Sequence, residues 1–160
     1  MNYSAYYSTD MVNGPGIRAV LFVSGCTHAC PGCYNESTWS PLAGARYTPE
    51  IEDQIIRDLK DTRIVRSGLT LTGGDPLHQH NRYDVLRLIL RVRKECPDKT
   101  IWLWTGYYDK EIMEDKDARM RYIRNNVDVV VDGRFIKELH DPNLRFRGSS
   151  NQTIINVRNI

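Results

Sequence analysis

Long apolar runs are missing from this chain. The longest is Ala19-Val20-Leu21-Phe22-Val23, far short of the roughly 20 residues needed to cross a bilayer, so no membrane role is expected. An excess of charge is missing as well. Lys and Arg number 22 against 20 Asp and Glu, a formal net charge of +2, and that near balance gives no support to a nucleic-acid or membrane-surface partner. The first ten residues lack the basic-then-apolar build of a secretion signal, which leaves a cytoplasmic location as the expectation. Cysteine is scarce, with four in 160 residues, so that at most two disulfides are formally possible. No repeat, low-complexity tract or linker interrupts the sequence, and its length suits one domain, 1–160.

What cysteine there is lies together. Cys26-Thr27-His28-Ala29-Cys30-Pro31-Gly32-Cys33 packs three into eight residues as C-x3-C-x2-C. Cysteines this close, in a chain without a secretory signal, favour metal binding over disulfides. A structural metal site closes its coordination with four protein ligands, whereas a reactive one keeps a position open. Three thiolates on a cubane cluster leave one iron without a protein ligand. The reading is a catalytic [4Fe–4S] cluster held by Cys26, Cys30 and Cys33. The rival is a non-catalytic binding module stapled by zinc, with His28 or Cys96 as fourth ligand.

Elsewhere the pattern is strand, loop, helix. Residues 19–24, 69–72, 101–105, 127–131 and 153–157 read as short strands. Thr48-Pro49-Glu50 opens a helix with a cap residue and proline at the first position. A second helix spans about 81–95, and Asp109 is expected to cap a third, carrying Ile112, Met113, Met120 and Ile123 across a highly charged middle. Residues 35–46 read as a loop over the cluster. Alternating strands and amphipathic helices imply β-α-β units and an α/β fold with a mostly parallel sheet. Too few strands are present for a closed eight-stranded barrel, so an open, partial (β/α) barrel is expected, with a flat doubly wound sheet as the alternative. In both, the ligand site falls at the carboxyl ends of the strands. The cysteine loop, Gly73-Gly74-Asp75, Thr105-Gly106-Tyr107 and Asp132-Gly133-Arg134 all follow predicted strands.

A cysteine loop after the first of these strands and a Gly-Gly-acid segment after the second resemble the radical S-adenosylmethionine (SAM) enzymes. Asn13-Gly14-Pro15-Gly16-Ile17-Arg18, Phe22, Gly25 and Tyr34-Asn35 are similar to the signature of their glycyl-radical-activating branch. Within it, Thr72-Gly73-Gly74-Asp75-Pro76, Trp104-Thr105-Gly106-Tyr107 and Arg147-Gly148-Ser149-Ser150-Asn151-Gln152 resemble the activators of anaerobic reductases. The resemblance implies a partial barrel of the radical SAM type with [4Fe–4S] and SAM as cofactors. The cluster would cleave SAM reductively, and a hydrogen would leave the α-carbon of one glycine in the anaerobic (class III) ribonucleoside-triphosphate reductase large subunit. It further implies a reduced flavodoxin-type electron donor. Carried over by position, Cys26, Cys30 and Cys33 are the cluster ligands. Gly32, Cys33, Tyr34, Gly73, Gly74 and Asp75 would bind SAM, and no side chain beyond these acts chemically. Gly73 and Gly74 would admit the methionine amino group, Asp75 would offset its charge, and Gly32 and Tyr34 would lie near the adenine. Two departures stand out: Gly32 occupies a position often aromatic in the wider family, and Asp75 one often Glu. A radical SAM enzyme acting on a small molecule is the alternative within this class.

Several features have ordinary explanations. His78-Gln79-His80 reads as a solvated loop, Cys96 as a half-buried small residue, and Trp102 and Trp104 as packing residues. Tyr107 is within reach of a cofactor. Residues 147–152 would either close the site or dock the reductase.

Overall fold

Period-two alternation builds the sheet, and the two sides it creates have different fates. In the computed structural model, which describes residues 1–158, strands β1 (Asn2–Asp10), β2 (Arg18–Val23), β3 (Ala45–Arg46), β4 (Gly68–Gly73), β5 (Thr100–Trp104), β6 (Val129–Asp132) and β7 (Thr153–Asn156) form one sheet. Its order is β3-β1-β2-β4-β5-β6-β7. β2, β4, β5 and β6 run parallel through the centre, while β1 and β3 on one margin and β7 on the other pair antiparallel. Four helices connect them: α1 (Pro49–Lys60), α2 (Arg82–Glu95), α3 (Asp109–Glu114) and α4 (Ala118–Asn126).

Leu21, Leu69, Leu71, Ile101, Leu103 and Val130 belong to one core with Ile55 and Leu59 of α1, Leu88 and Ile89 of α2, Ile112 of α3 and Ile123 of α4. The residues between them in the strands, Trp102, Trp104, Val129 and Val131, cluster separately with Phe146 and Ile154. No helical residue joins that second cluster among the described residues. The reason is topological. The parallel strands succeed one another across the sheet without reversal, and right-handed crossovers then set every helix on the same side. A doubly wound sheet would need a reversal of strand order. The sheet is open and wound one way.

Arg18 closes the strand end remote from the cysteines. It is fully buried, and its guanidinium donates to Thr70 Oγ1 (2.8 Å), Thr100 Oγ1 (3.0 Å) and the carbonyls of Leu69 (2.8 Å), Thr100 (3.0 Å) and Pro15 (3.4 Å). Burial pulls its pKa down to about 10, because desolvation penalises the charged form. Gly14, at φ 117°, sits where a Cβ would come within 2.8 Å of Arg18 Cδ. The 13–18 segment is therefore a structural plug, one strand-length away from the cysteines.

Three sequence expectations change. The third helix is two helices, α3 and α4, and Met113 is exposed. The charged middle ends one and starts the next: Asp117 Oδ1 accepts from Arg119 N (3.0 Å) as a cap, and Arg82 pairs with Asp117 (3.0 Å) from α2. Asp109 is not a cap but the first residue of α3, and its carboxylate holds Arg124 of α4. The loop at 35–46 contains a 3-10 turn, Glu36–Thr38, and the short β3. β1, the longest strand, has no counterpart in the sequence reading. Its tyrosines and serines blur the apolar alternation, and pairing with β2 is what organises it.

Candidate metal centre

β2 delivers the cysteine loop, and main-chain bonds then fold it back over the carboxyl ends of the neighbouring strands. Gly25 N donates to Thr38 O (2.7 Å) and Cys26 N to Trp39 O (3.0 Å). On the other side Gly74 N donates to Val23 O (2.7 Å) and Asp75 N to Gly25 O (2.8 Å). Ala29 takes a left-handed φ of 48°, disfavoured for a residue with a Cβ, and Gly32 follows at φ 76°. These turns bring Cys26, Cys30 and Cys33 onto one cavity of about 140 Å3, shared with His28, Gly73, Gly74, Trp104, Gly106, Phe135 and Gln152.

Burial pushes the Cys26 thiol up to about 11 and raises that of Cys30, since the thiolate is the form that desolvation disfavours. Asn35 N donates to Cys33 Sγ (3.4 Å). The donor set fits an iron–sulfur cluster: three thiols share a cavity, and the fourth cysteine, Cys96, is buried in the helical core. A larger cavity of about 360 Å3 lies beside Cys96. Its charged rim pairs internally, Lys60 with Glu95 (2.8 Å) and Lys99 with Asp98 (3.4 Å), and it has no comparable set of thiols.

Behind the cavity wall sits a buried hub. Asp75, 1% exposed, accepts from Leu77 N (2.8 Å), Thr105 Oγ1 (2.9 Å), Gly106 N (3.0 Å) and His28, whose Nε2 lies 2.7 Å from Oδ2. The carboxylate thus ties the β4 loop to the end of β5 and to the cysteine loop. His28 packs edge-on against Tyr107, with centroids 4.6 Å apart, and a Cβ on Gly106 would meet its ring at 2.3 Å. With Nε2 engaged by Asp75, only Nδ1 of His28 is left to ligate a metal. Cys26, His28 and Asp75 do place ligand atoms within 4.8 Å of one another, the one such group among the described residues.

The residues expected around SAM separate in space. Gly73 and Gly74 line the cavity, but the side chains they lack would point into protein. A Cβ on Gly73 would lie 2.7 Å from Val23 N, and one on Gly74 2.7 Å from Gly25 O. The glycines let two loops pack. Asp75 lies behind the wall with its oxygens taken by the donors just named. Tyr34, 76% exposed, sits outside the cavity against Phe135 and His140. Gly32 faces Lys137 and Phe135. Tyr107 packs on His28 instead of lining the cavity. His78, expected in a solvated loop, is buried under Gly25, with its Nδ1 accepting from His80 N (3.3 Å). Sequence reasoning missed Phe135 and Gln152 as wall residues, and Thr105 as a ligand of Asp75. The segments Thr105-Gly106-Tyr107 and 147–152 carried a signal, whereas Phe135 carried none.

Fold and site together define an α/β protein with three thiols on one cavity at the carboxyl edge of a one-way sheet. Residues 12–155 match the profile of a 4Fe-4S single cluster domain. The chain is 60% identical over 154 residues to the anaerobic ribonucleoside-triphosphate reductase-activating protein of Vibrio cholerae, covering 96% of this chain and 97% of that one. To the protein of the same name from Escherichia coli it is 52% identical over 158 residues (99% and 100% covered), and to that from Haemophilus influenzae 56% over 154 (96% and 97%). The chain belongs to the family of anaerobic ribonucleoside-triphosphate reductase-activating proteins.

Proposed function

We propose that this chain is a single radical SAM domain acting as the activase of an anaerobic ribonucleoside-triphosphate reductase. The observation that carries the reading is the donor set: three thiols, with no fourth cysteine beside them, on a cavity walled by the Gly73-Gly74 main chain. The one-way winding supports a partial barrel of the radical SAM type, and the relatives' name supports the reductase as the protein substrate.

Cys26, Cys30 and Cys33 would hold a [4Fe–4S] cluster, which when bound supplies the electron for reductive cleavage of SAM. Cys26 and Cys30 are protonated at neutral pH in the cluster-free chain, so loading the site releases protons. Asp75 works as a positioning residue: through His28, Thr105 and Gly106 it fixes the cysteine loop relative to β4 and β5. Trp104 and Phe135 make the apolar part of the wall and limit water near the reacting atoms. The balance is one electron in and one hydrogen atom moved. SAM, when bound, would supply the hydrogen acceptor: a glycine of the reductase would lose one α-hydrogen and become a glycyl radical, with SAM consumed to methionine and 5′-deoxyadenosine. A reduced flavodoxin-type protein is the expected donor. A protein loop, not a small molecule, suits a cavity whose edge carries exposed Tyr34, Lys137 and His140.

The test is anaerobic. The chain is reconstituted with iron and sulfide, reduced, and mixed with SAM and the reductase, while electron paramagnetic resonance and 5′-deoxyadenosine are followed. A glycyl doublet with matching deoxyadenosine supports the proposal. Deoxyadenosine without a protein radical would move the substrate to a small molecule, and bound zinc with no cluster signal would refute the enzyme.

A further inference from the structure

Within residues 147–152, Ser149, Asn151 and Gln152 turn toward one short strap. Gln152 Nε2 donates to Gly133 O (2.9 Å), Asn151 Nδ2 to Arg134 O (2.8 Å), and Ser149 Oγ accepts from Ile136 N (3.1 Å). Three side chains thus hold the main chain of 133, 134 and 136. Gln152 is itself fixed, its Oε1 accepting from Gly148 N (2.8 Å) and Ser149 N (3.1 Å). The residue between the held positions is Phe135, which lines the cavity.

The ring of Phe135 occupies a slot between two glycines. A Cβ on Gly148 would lie 3.0 Å from its Cδ2, and a Cβ on Gly32, next to Cys33, 3.6 Å from its Cε1. The ring is tight against Gly148 and in ordinary contact distance of Gly32. Tyr34, the other aromatic beside the cysteine loop, is turned to solvent. Trp104, the remaining aromatic of the wall, packs on Trp102 (5.5 Å between centroids), and its Nε1 donates to Phe146 O (2.9 Å). Phe135 is the aromatic of this cavity that lies against the cysteine loop.

We propose that Phe135 is the wall on which the adenine of SAM rests, and that Ser149, Asn151 and Gln152 are positioning residues that hold it there. This rests on the radical SAM reading given above. A purine presents an extended π face, and an aromatic side chain held in one orientation binds it by stacking with little loss of freedom. It assigns residues 147–152 to shaping the site and not to docking the reductase.

The test uses the cluster-loaded protein and two probes, SAM and L-methionine, in anaerobic equilibrium dialysis. Phe135→Leu keeps apolar bulk but removes the π face. SAM binding should weaken about tenfold, with L-methionine binding and the cluster absorbance unchanged, and Phe135→Tyr should restore it. Gln152→Ala should reproduce the loss, and the double variant should lose no more than either single one, since both act through one ring. If Gln152→Ala does not fold, Gln152→Glu keeps an acceptor for Gly148 N and Ser149 N but sets a carboxylate oxygen against Gly133 O, and should weaken SAM binding in the same way. Unchanged SAM affinity in Phe135→Leu, an equal loss for L-methionine, or additive losses in the double variant would each overturn the proposal. Wild-type protein that binds no SAM would overturn the radical SAM reading, and this proposal with it. That arm is read before any variant is made.

Discussion

Removing the Asp75 carboxylate separates a positioning role from direct contact with SAM, because a positioning role must appear before any cofactor is present. Asp75→Ala strands a buried main-chain donor, Leu77 N, and a half-buried one, Gly106 N, and takes partners from Thr105 Oγ1 and His28. A buried donor without a partner costs about 1–3 kcal/mol. The threonine hydroxyl rotates and the imidazole changes tautomer, so the two amides dominate and the total is about 2–6 kcal/mol. That is a large part of the roughly 5–15 kcal/mol available to a domain. Asp75→Asn is milder. Its oxygen keeps Leu77 N and its amide can donate to a neutral His28, but an N–H then faces Gly106 N, at a cost of about 1.5–3 kcal/mol. At about 2–4 °C per kcal/mol for a chain of this size, the asparagine variant should melt roughly 3–12 °C lower, and the alanine variant lower still. The assay is thermal unfolding of the cluster-free, reduced protein followed by circular dichroism. Both variants melting within about 1 °C of wild type would refute the hub, and a defect confined to SAM binding would restore direct contact.

Other consequences follow from the same geometry. Cys30→Ala should abolish SAM cleavage and the cluster absorbance, whereas normal cleavage by that variant would dismiss the ligand assignment. Arg18→Leu leaves the carbonyls of Leu69 and Thr100 without their guanidinium donor and should lower stability by about 3–5 kcal/mol in urea titration. An effect below about 1 kcal/mol would show that the plug is dispensable. For Cys26 the sign is set by burial. Its folded pKa of about 11 lies above the ordinary 9.0, so the folded, cluster-free chain holds that proton more tightly. Its contribution to stability is intact below pH 9 and is lost as the pH rises through 11. Iodoacetamide should label Cys26 about a hundredfold more slowly at pH 8 than an ordinary thiol, because the thiolate reacts. Equal labelling rates, read by mass spectrometry, would contradict the burial.

The sequence by itself determined the donor set and the strand pattern. Three thiols in eight residues specify soft-metal chemistry whatever surrounds them, and short apolar runs separated by amphipathic segments specify a wound sheet. The expected strands appear in the structure, and the cysteine loop, Gly73-Gly74-Asp75 and Thr105-Gly106-Tyr107 meet at their carboxyl ends. Tertiary structure alone decided the rest. Gly73 and Gly74 are glycine because β2 and its loop press against them, a contact between segments about 50 residues apart. Asp75 is a hub because the end of β5 and the cysteine loop aim three donors at it, Thr105 Oγ1, Gly106 N and His28. The 13–18 segment, adjacent in sequence to the cysteine strand, lies at the opposite end of that strand, because an extended chain carries its ends apart. Phe135 had no local signature. Its place on the wall comes from the 149–152 side chains that hold its strap and from the room left by Gly148. Periodicity and ligand spacing are properties of neighbours along the chain and can be read there. Side-chain satisfaction and steric room are properties of neighbours in space, and the fold must form before they exist.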